Sequence, residues 1–108
     1  MIYKINITIN SLINNIPIKR TYSGDAYSKD EMIDLVSNIV NFNIIRINQN
    51  LNKEIISKIY ILVIREDDWS EEEIKNSIES IYRELYSTID DNIIKIYLMT
   101  GETKNGTN

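Results

Sequence analysis

Three patterns in this chain predict an α+β two-layer sandwich, in which a mixed sheet of four or five strands carries two helices on one face in the order ββα(β)βαβ. Residues 2–9 alternate apolar and polar side chains. Two Ser-x-x-Glu boxes, at 28–31 and 70–73, each open an apolar stripe at helical spacing. Residues 55–64 form an Ile-rich run that is apolar on both faces over its last six positions.

The elements follow in order. Tyr3, Ile5, Ile7 and Ile9 face one way and Lys4, Asn6 and Thr8 the other, which is the period-2 pattern of a strand with one wet face. After Asn10-Ser11 and Asn14-Asn15, residues 16–23 alternate again, so the chain opens with a hairpin. Pro17 has no N–H to donate, so the second strand either starts at an edge or leaves that position unpaired, and Gly24-Asp25 marks a turn. Ser28 and Glu31 then satisfy backbone donors at a helix start, and Met32, Leu35, Val36, Ile39 and Val40 form its buried stripe as far as Asn41-Phe42-Asn43. Residues 44–49 read as either a continued helix or a short strand, and their β-branched side chains favour the strand.

The run at 55–64 reads as a central strand covered on both sides. Ser70 and Glu73 start a second helix over 70–88, with Ile74, Ile78, Ile81, Tyr82, Leu85 and Ile89 on one stripe. Asp90-Asp91-Asn92 turns the chain into a last strand at 93–99. A strand, a helix and a strand in that order predict a βαβ unit, with a right-handed crossover if its strands are parallel. Residues 1–100 are expected to be one domain and 101–108 a flexible tail.

Composition narrows the chemistry. Among 108 residues there is no histidine and no cysteine. Ser-His-Asp and Cys-His nucleophile systems, disulfides and zinc sites of the Cys and His type are therefore excluded. The three glycines, at 24, 101 and 106, form no phosphate-cradling loop. Net charge is −4, and Lys19-Arg20 is the only adjacent basic pair, so no direct nucleic-acid binding is expected. No stretch approaches the roughly 18 apolar residues of a membrane span, and residues 1–10 lack the apolar core of a signal peptide, so no membrane association and a cytoplasmic location are expected. With 24 Ile and 14 Asn against a single Ala, the composition has the AT-rich codon bias of certain microbes, viruses and plasmids.

The densest chemical feature is the strand-to-helix junction Glu66, Asp67, Asp68, Trp69, Ser70, Glu71, Glu72 and Glu73, with six carboxylates in eight residues. Acids in a first helical turn suit the positive end of the helix dipole and need no partner. The same acids around the only tryptophan also form a docking surface for a basic partner, for which an exposed Trp69 would be the anchor. A third reading is a site for a hard divalent cation. Glu73-Ile74-Lys75 matches the end of a nuclease motif but falls within a helix rather than on a strand.

The leading expectation is a small acidic, non-enzymatic interaction module that uses Glu66, Asp67, Asp68, Trp69, Glu71, Glu72 and Glu73 to bind a basic surface of another protein, with no cofactor. In a virus or plasmid it would inhibit a host nucleic-acid-handling complex. One alternative is a small metal-dependent hydrolase or nuclease using Asp67 and Asp68. Another is a homodimer that pairs exposed sheet edges, either the 93–99 strand or the Pro17 strand.

Overall fold

The computed structural model describes residues 2–49, 53–85 and 91–101. Strands β1 (Tyr3–Ile13) and β2 (Ile16–Ala26) form the opening hairpin. Asn14 and Asn15 make its two-residue turn, both left-handed at φ 51° and 67°. Two successive positive φ values give the turn twist that suits a hairpin, and asparagine tolerates them better than most side chains.

The hairpin is longer than the sequence predicts. β1 continues past Asn10 to Ile13, and Gly24 and Asp25 lie inside β2, opposite Ile5 and Lys4, rather than in a turn. Gly24 serves packing: a Cβ built there would lie 2.9 Å from Leu35 Cδ2, so its small size lets α1 settle onto the strand.

Helix α1 (Lys29–Asn48) starts at its predicted box, where the Glu31 N–H donates to Ser28 Oγ at 3.1 Å and Glu31 Oε2 accepts from the Tyr27 N–H at 2.9 Å. It does not end at residues 41–43. Residues 44–48 are helical, which corrects the predicted short strand and leaves the sheet with four strands among the described residues. Asn43, which reads as a stop signal, is fully buried; its Nδ2 donates to Ile39 O at 2.8 Å and its Oδ1 accepts from the Tyr22 hydroxyl and from Arg46, both at 2.9 Å. Those bonds satisfy the amide inside the fold, so tertiary partners override local propensity.

The sheet order is β2-β1-β3-β4, with β3 spanning Glu54–Arg65 and β4 Ile94–Thr100. β1 is antiparallel to both neighbours, and β3 and β4 are parallel, joined through α2 (Glu71–Leu85) and a short 3-10 turn at Asp91–Ile93. This is the predicted βαβ unit within the predicted α+β fold. Residues 86–90, including the predicted end of the second helix and Ile89, lie outside the described residues, as do 102–108 of the predicted tail.

One face of the sheet meets both helices. Ile5, Ile7 and Ile9 of β1 and Ile59, Ile61 and Val63 of β3 are buried against Met32, Val36 and Val40 of α1 and Ile81 and Leu85 of α2. Fully burying an aliphatic side chain contributes about 1.5–3 kcal/mol, which makes this layer the main source of stability. The other face carries no layer among the described residues, so β3 is central without being covered twice. Its outer side chain Tyr60 is 37% exposed, beside Tyr97 at 51% and Met99 at 45% on β4. No described helix is long and apolar enough to cross a membrane.

A register shift between Asn10 and Ser11 completes the geometry. Asn10 pairs with Lys58 and Ser11 with Ile56, so Ser57 is an extra residue in β3 and its hydroxyl donates to Asn10 O at 3.1 Å. A bulge reverses the in–out phase of a strand. Glu54 is thereby turned to the same face as Arg65 at the far end of β3, and both are buried.

Candidate functional site

The acidic run links β3 to α2: residues 66–70 connect them and Glu71, Glu72 and Glu73 form the first helical turn. All six carboxylate residues are exposed. The predicted capping box is reciprocal, with the Glu73 N–H donating to Ser70 Oγ at 3.1 Å and the Ser70 N–H donating to Glu73 Oε1 at 3.2 Å.

Arg65 organises this junction. Strand alternation places it on the core face with Ile59, Ile61 and Val63, and its side chain is only 3% exposed. Nη1 donates to Glu73 Oε2 at 2.6 Å, Nη2 donates to Asp68 O at 2.5 Å, and Nε forms an ion pair with Asp67 Oδ1 at 2.7 Å. The guanidinium carbon lies 4.4 Å from the Trp69 ring centroid and 6.0 Å from that of Tyr3, while Tyr3 and Trp69 meet edge to face at 5.8 Å. Cation–π and edge-to-face contacts of this kind add to the burial of the rings. The Trp69 Nε1–H donates to Met99 O at 3.0 Å, so a half-buried indole pins the junction to β4.

The charges are unequal. The Arg65 hydrogen bond, followed by bonds from Ser70, pushes the Glu73 carboxyl down to about 2, and the same Glu73 contact chiefly raises Arg65. Of the six carboxylates at this junction, only those of Asp67 and Glu73 pair with the guanidinium. Glu66, Asp68, Glu71 and Glu72 have no ion pair among the described residues. Nor do any three acids converge there as a cage for a metal, since the Arg65 guanidinium itself sits between Asp67 and Glu73.

A second polar centre closes the other end of β3. Glu54, with a side chain 0% exposed, receives Arg20 Nη1 at 2.5 Å and Arg46 Nη1 at 2.9 Å. The Arg46 hydrogen bond is the main force pushing Glu54 down to about 2, with Ser11 and Arg20 adding to it against the cost of burial. Arg46 Nη2 also donates to Asn43 Oδ1, which carries the network on to Tyr22. The two centres are complementary: a buried arginine held by exposed carboxylates at one end, and a buried carboxylate held by half-exposed arginines at the other.

The structure thus brings Asp67, Asp68, Trp69 and Glu73 together around Arg65 and leaves Glu66, Glu71 and Glu72 facing outward. Sequence reasoning did not single out Arg65 or Glu54. Arg65 has a signal, since it continues the alternation of 59, 61 and 63. Glu54 has none, because only the bulge brings it inward. Compared with known proteins, the chain matches no family model, no curated protein and no solved structure.

Proposed function

We propose that this protein is a non-enzymatic interaction module that binds a basic surface of another protein through the acidic junction 66–73. The observation that carries this reading is the imbalance of charge at the junction, where six carboxylates are exposed and the one buried guanidinium pairs with two of them. A loop pinned by Arg65, Trp69 and Tyr3 presents its acids in a set arrangement, which lowers the ordering cost of binding. Glu66, Asp68, Glu71 and Glu72 supply the attraction, while Asp67 and Glu73 hold the loop. In its finer form the proposal places the basic surface on a nucleic-acid-handling complex, whose positive groove such acids can occupy, in the setting of an AT-rich virus or plasmid.

The test is affinity capture from the source cell's lysate, followed by mass spectrometry, beside the variant Glu66→Gln, Asp68→Asn, Glu71→Gln, Glu72→Gln. This variant keeps both ion-pair partners of Arg65 and therefore the loop geometry. A basic protein recovered by the original chain, lost with the variant and released as salt rises is the expected result. Equal recovery by both baits overturns the proposal.

A further inference from the structure

The open face of the sheet reverses the charge balance of the molecule. The chain carries 16 acids and 12 bases. Strand alternation turns Lys4, Lys19, Lys58 and Lys95 to this face, and Asp25 is the only acid that the strands place there. None of the four lysines forms an ion pair among the described residues. They lie far apart in sequence, where Lys19-Arg20 is the only adjacent basic pair, and the register alone brings them to one surface. Beside them lies an aromatic and apolar centre. Tyr60 stands opposite Lys95 and Leu62 opposite Tyr97, so the two tyrosines are diagonal neighbours on β3 and β4. Their rings are 37% and 51% exposed, and with Leu62, Met99, Asn6 and Thr8 they are among the residues that line a groove of about 570 Å³.

We infer that this face binds a single-stranded nucleic acid. Bases of any identity stack on exposed aromatic rings, and cations beside the rings neutralise the phosphates that link them. Two rings on adjacent strands suit two successive bases, with Lys58 and Lys95 beside Tyr60 and the amide and hydroxyl of Asn6 and Thr8 within the same groove. A duplex keeps its bases stacked inside, and an acidic protein segment would use the lysines but bring no flat partner for the rings, so lysines and rings together favour the single strand. The acidic junction bounds the site. Trp69 bonds to Met99 O, which puts the carboxylates of 66–73 at the far end of β4 from Lys95. A polyanion is therefore drawn to the end that carries Lys19, Lys58 and Lys95. No residue of 66–73 belongs to this face, so the inference stands independently of the acidic-junction reading.

Fluorescence anisotropy of a labelled oligothymidylate of about twelve nucleotides, titrated with the full chain at low salt, tests this. Dissociation constants of about 1–100 µM are expected, with log affinity falling linearly against log salt. Tyr60→Leu and Tyr97→Leu, both at exposed positions, should each weaken binding about tenfold, whereas Tyr97→Phe should retain it, because the ring and not the hydroxyl does the stacking. Lys58→Gln and Lys95→Gln should each lower the salt slope by about 0.7. The same oligonucleotide annealed to its complement should bind about tenfold more weakly than the single strand, as should an oligoglutamate of equal charge. An original chain that shows no binding at about 100 µM overturns the inference. So does an affinity indifferent to both Tyr60→Leu and Tyr97→Leu, or a duplex or oligoglutamate bound as tightly as the single strand.

Discussion

Arg65 Nη1 lies 2.6 Å from Glu73 Oε2, and this contact joins the last residue of β3 to the first turn of α2. The crossover of the βαβ unit is therefore held at its start by a buried cation as well as by apolar packing. Glu54, at the other end of the same strand, holds Arg46 of α1 and Arg20 of β2. One strand thus anchors both helices through its two buried ionic residues.

Arg65→Met keeps the volume of the side chain and removes its charge. Glu73 and Asp67 are exposed and can rehydrate, so the cost is expected at about 2 kcal/mol, below the 3–5 kcal/mol seen when a deeply buried pair is broken. Trp69 is the only tryptophan, and its emission reports this junction directly. Urea unfolding followed by fluorescence should show both the lost stability and a red-shifted native emission, because the indole loses the guanidinium stacked on it.

Acid should unfold the protein through Glu54 in a defined window. Its folded pKa of about 2 lies below the ordinary value of 4.5, so its stabilisation is fully present above about pH 4.5 and is lost as pH falls through 2. The shift corresponds to about 3 kcal/mol at neutral pH. Glu54→Gln should lower stability at pH 7 and flatten the curve between pH 4.5 and 2. Glu73 titrates in the same window, so some slope remains. Denaturant titrations at stepped pH measure both effects.

Gly24 lies within β2 and its φ is not positive, so alanine there meets only the end of the Leu35 side chain. The adjustment of Leu35 opposes the roughly 0.5–1 kcal/mol gained by replacing a strand glycine, and Gly24→Ala should fall within about 0.5 kcal/mol of the original. A loss of several kcal/mol in thermal or chemical unfolding would mean that the residue sits in a strained turn.

Asn15, at φ 67°, behaves in the opposite way. Asn15→Ala should cost about 1–2 kcal/mol, because a Cβ without a polar group to bond locally is disfavoured in left-handed backbone. Asn15→Gly should be close to neutral, since it relieves that conformation while adding freedom to the unfolded chain. Paired denaturation curves of the two variants separate them.

Much of the candidate site was legible in advance. The acidic run, the Ser70–Glu73 box and the strand-to-helix junction all follow from local chemistry, because a cap and a charged first turn need only neighbours in sequence. The pinning of Trp69 was not legible: its partners are Arg65, Tyr3 and Met99, and two of these arrive from β1 and β4. The continuation of α1 through 44–48 was hidden in the same way, since Asn43 acts as a stop unless Tyr22 is there to donate its hydroxyl to the buried amide oxygen.

By itself the sequence determined the hydrophobic periods, the two helix starts, the absence of histidine and cysteine chemistry, and the order of elements that makes an α+β fold. These properties depend on spacings of a few residues, which the local backbone converts directly into faces and caps. The tertiary structure alone decided the extra residue at Ser57, the inward turn of Glu54, the length of α1 and the place of β4 at the end of the strand order. Each of these depends on which strand lies alongside, and a one-residue change of register reverses every side chain beyond it.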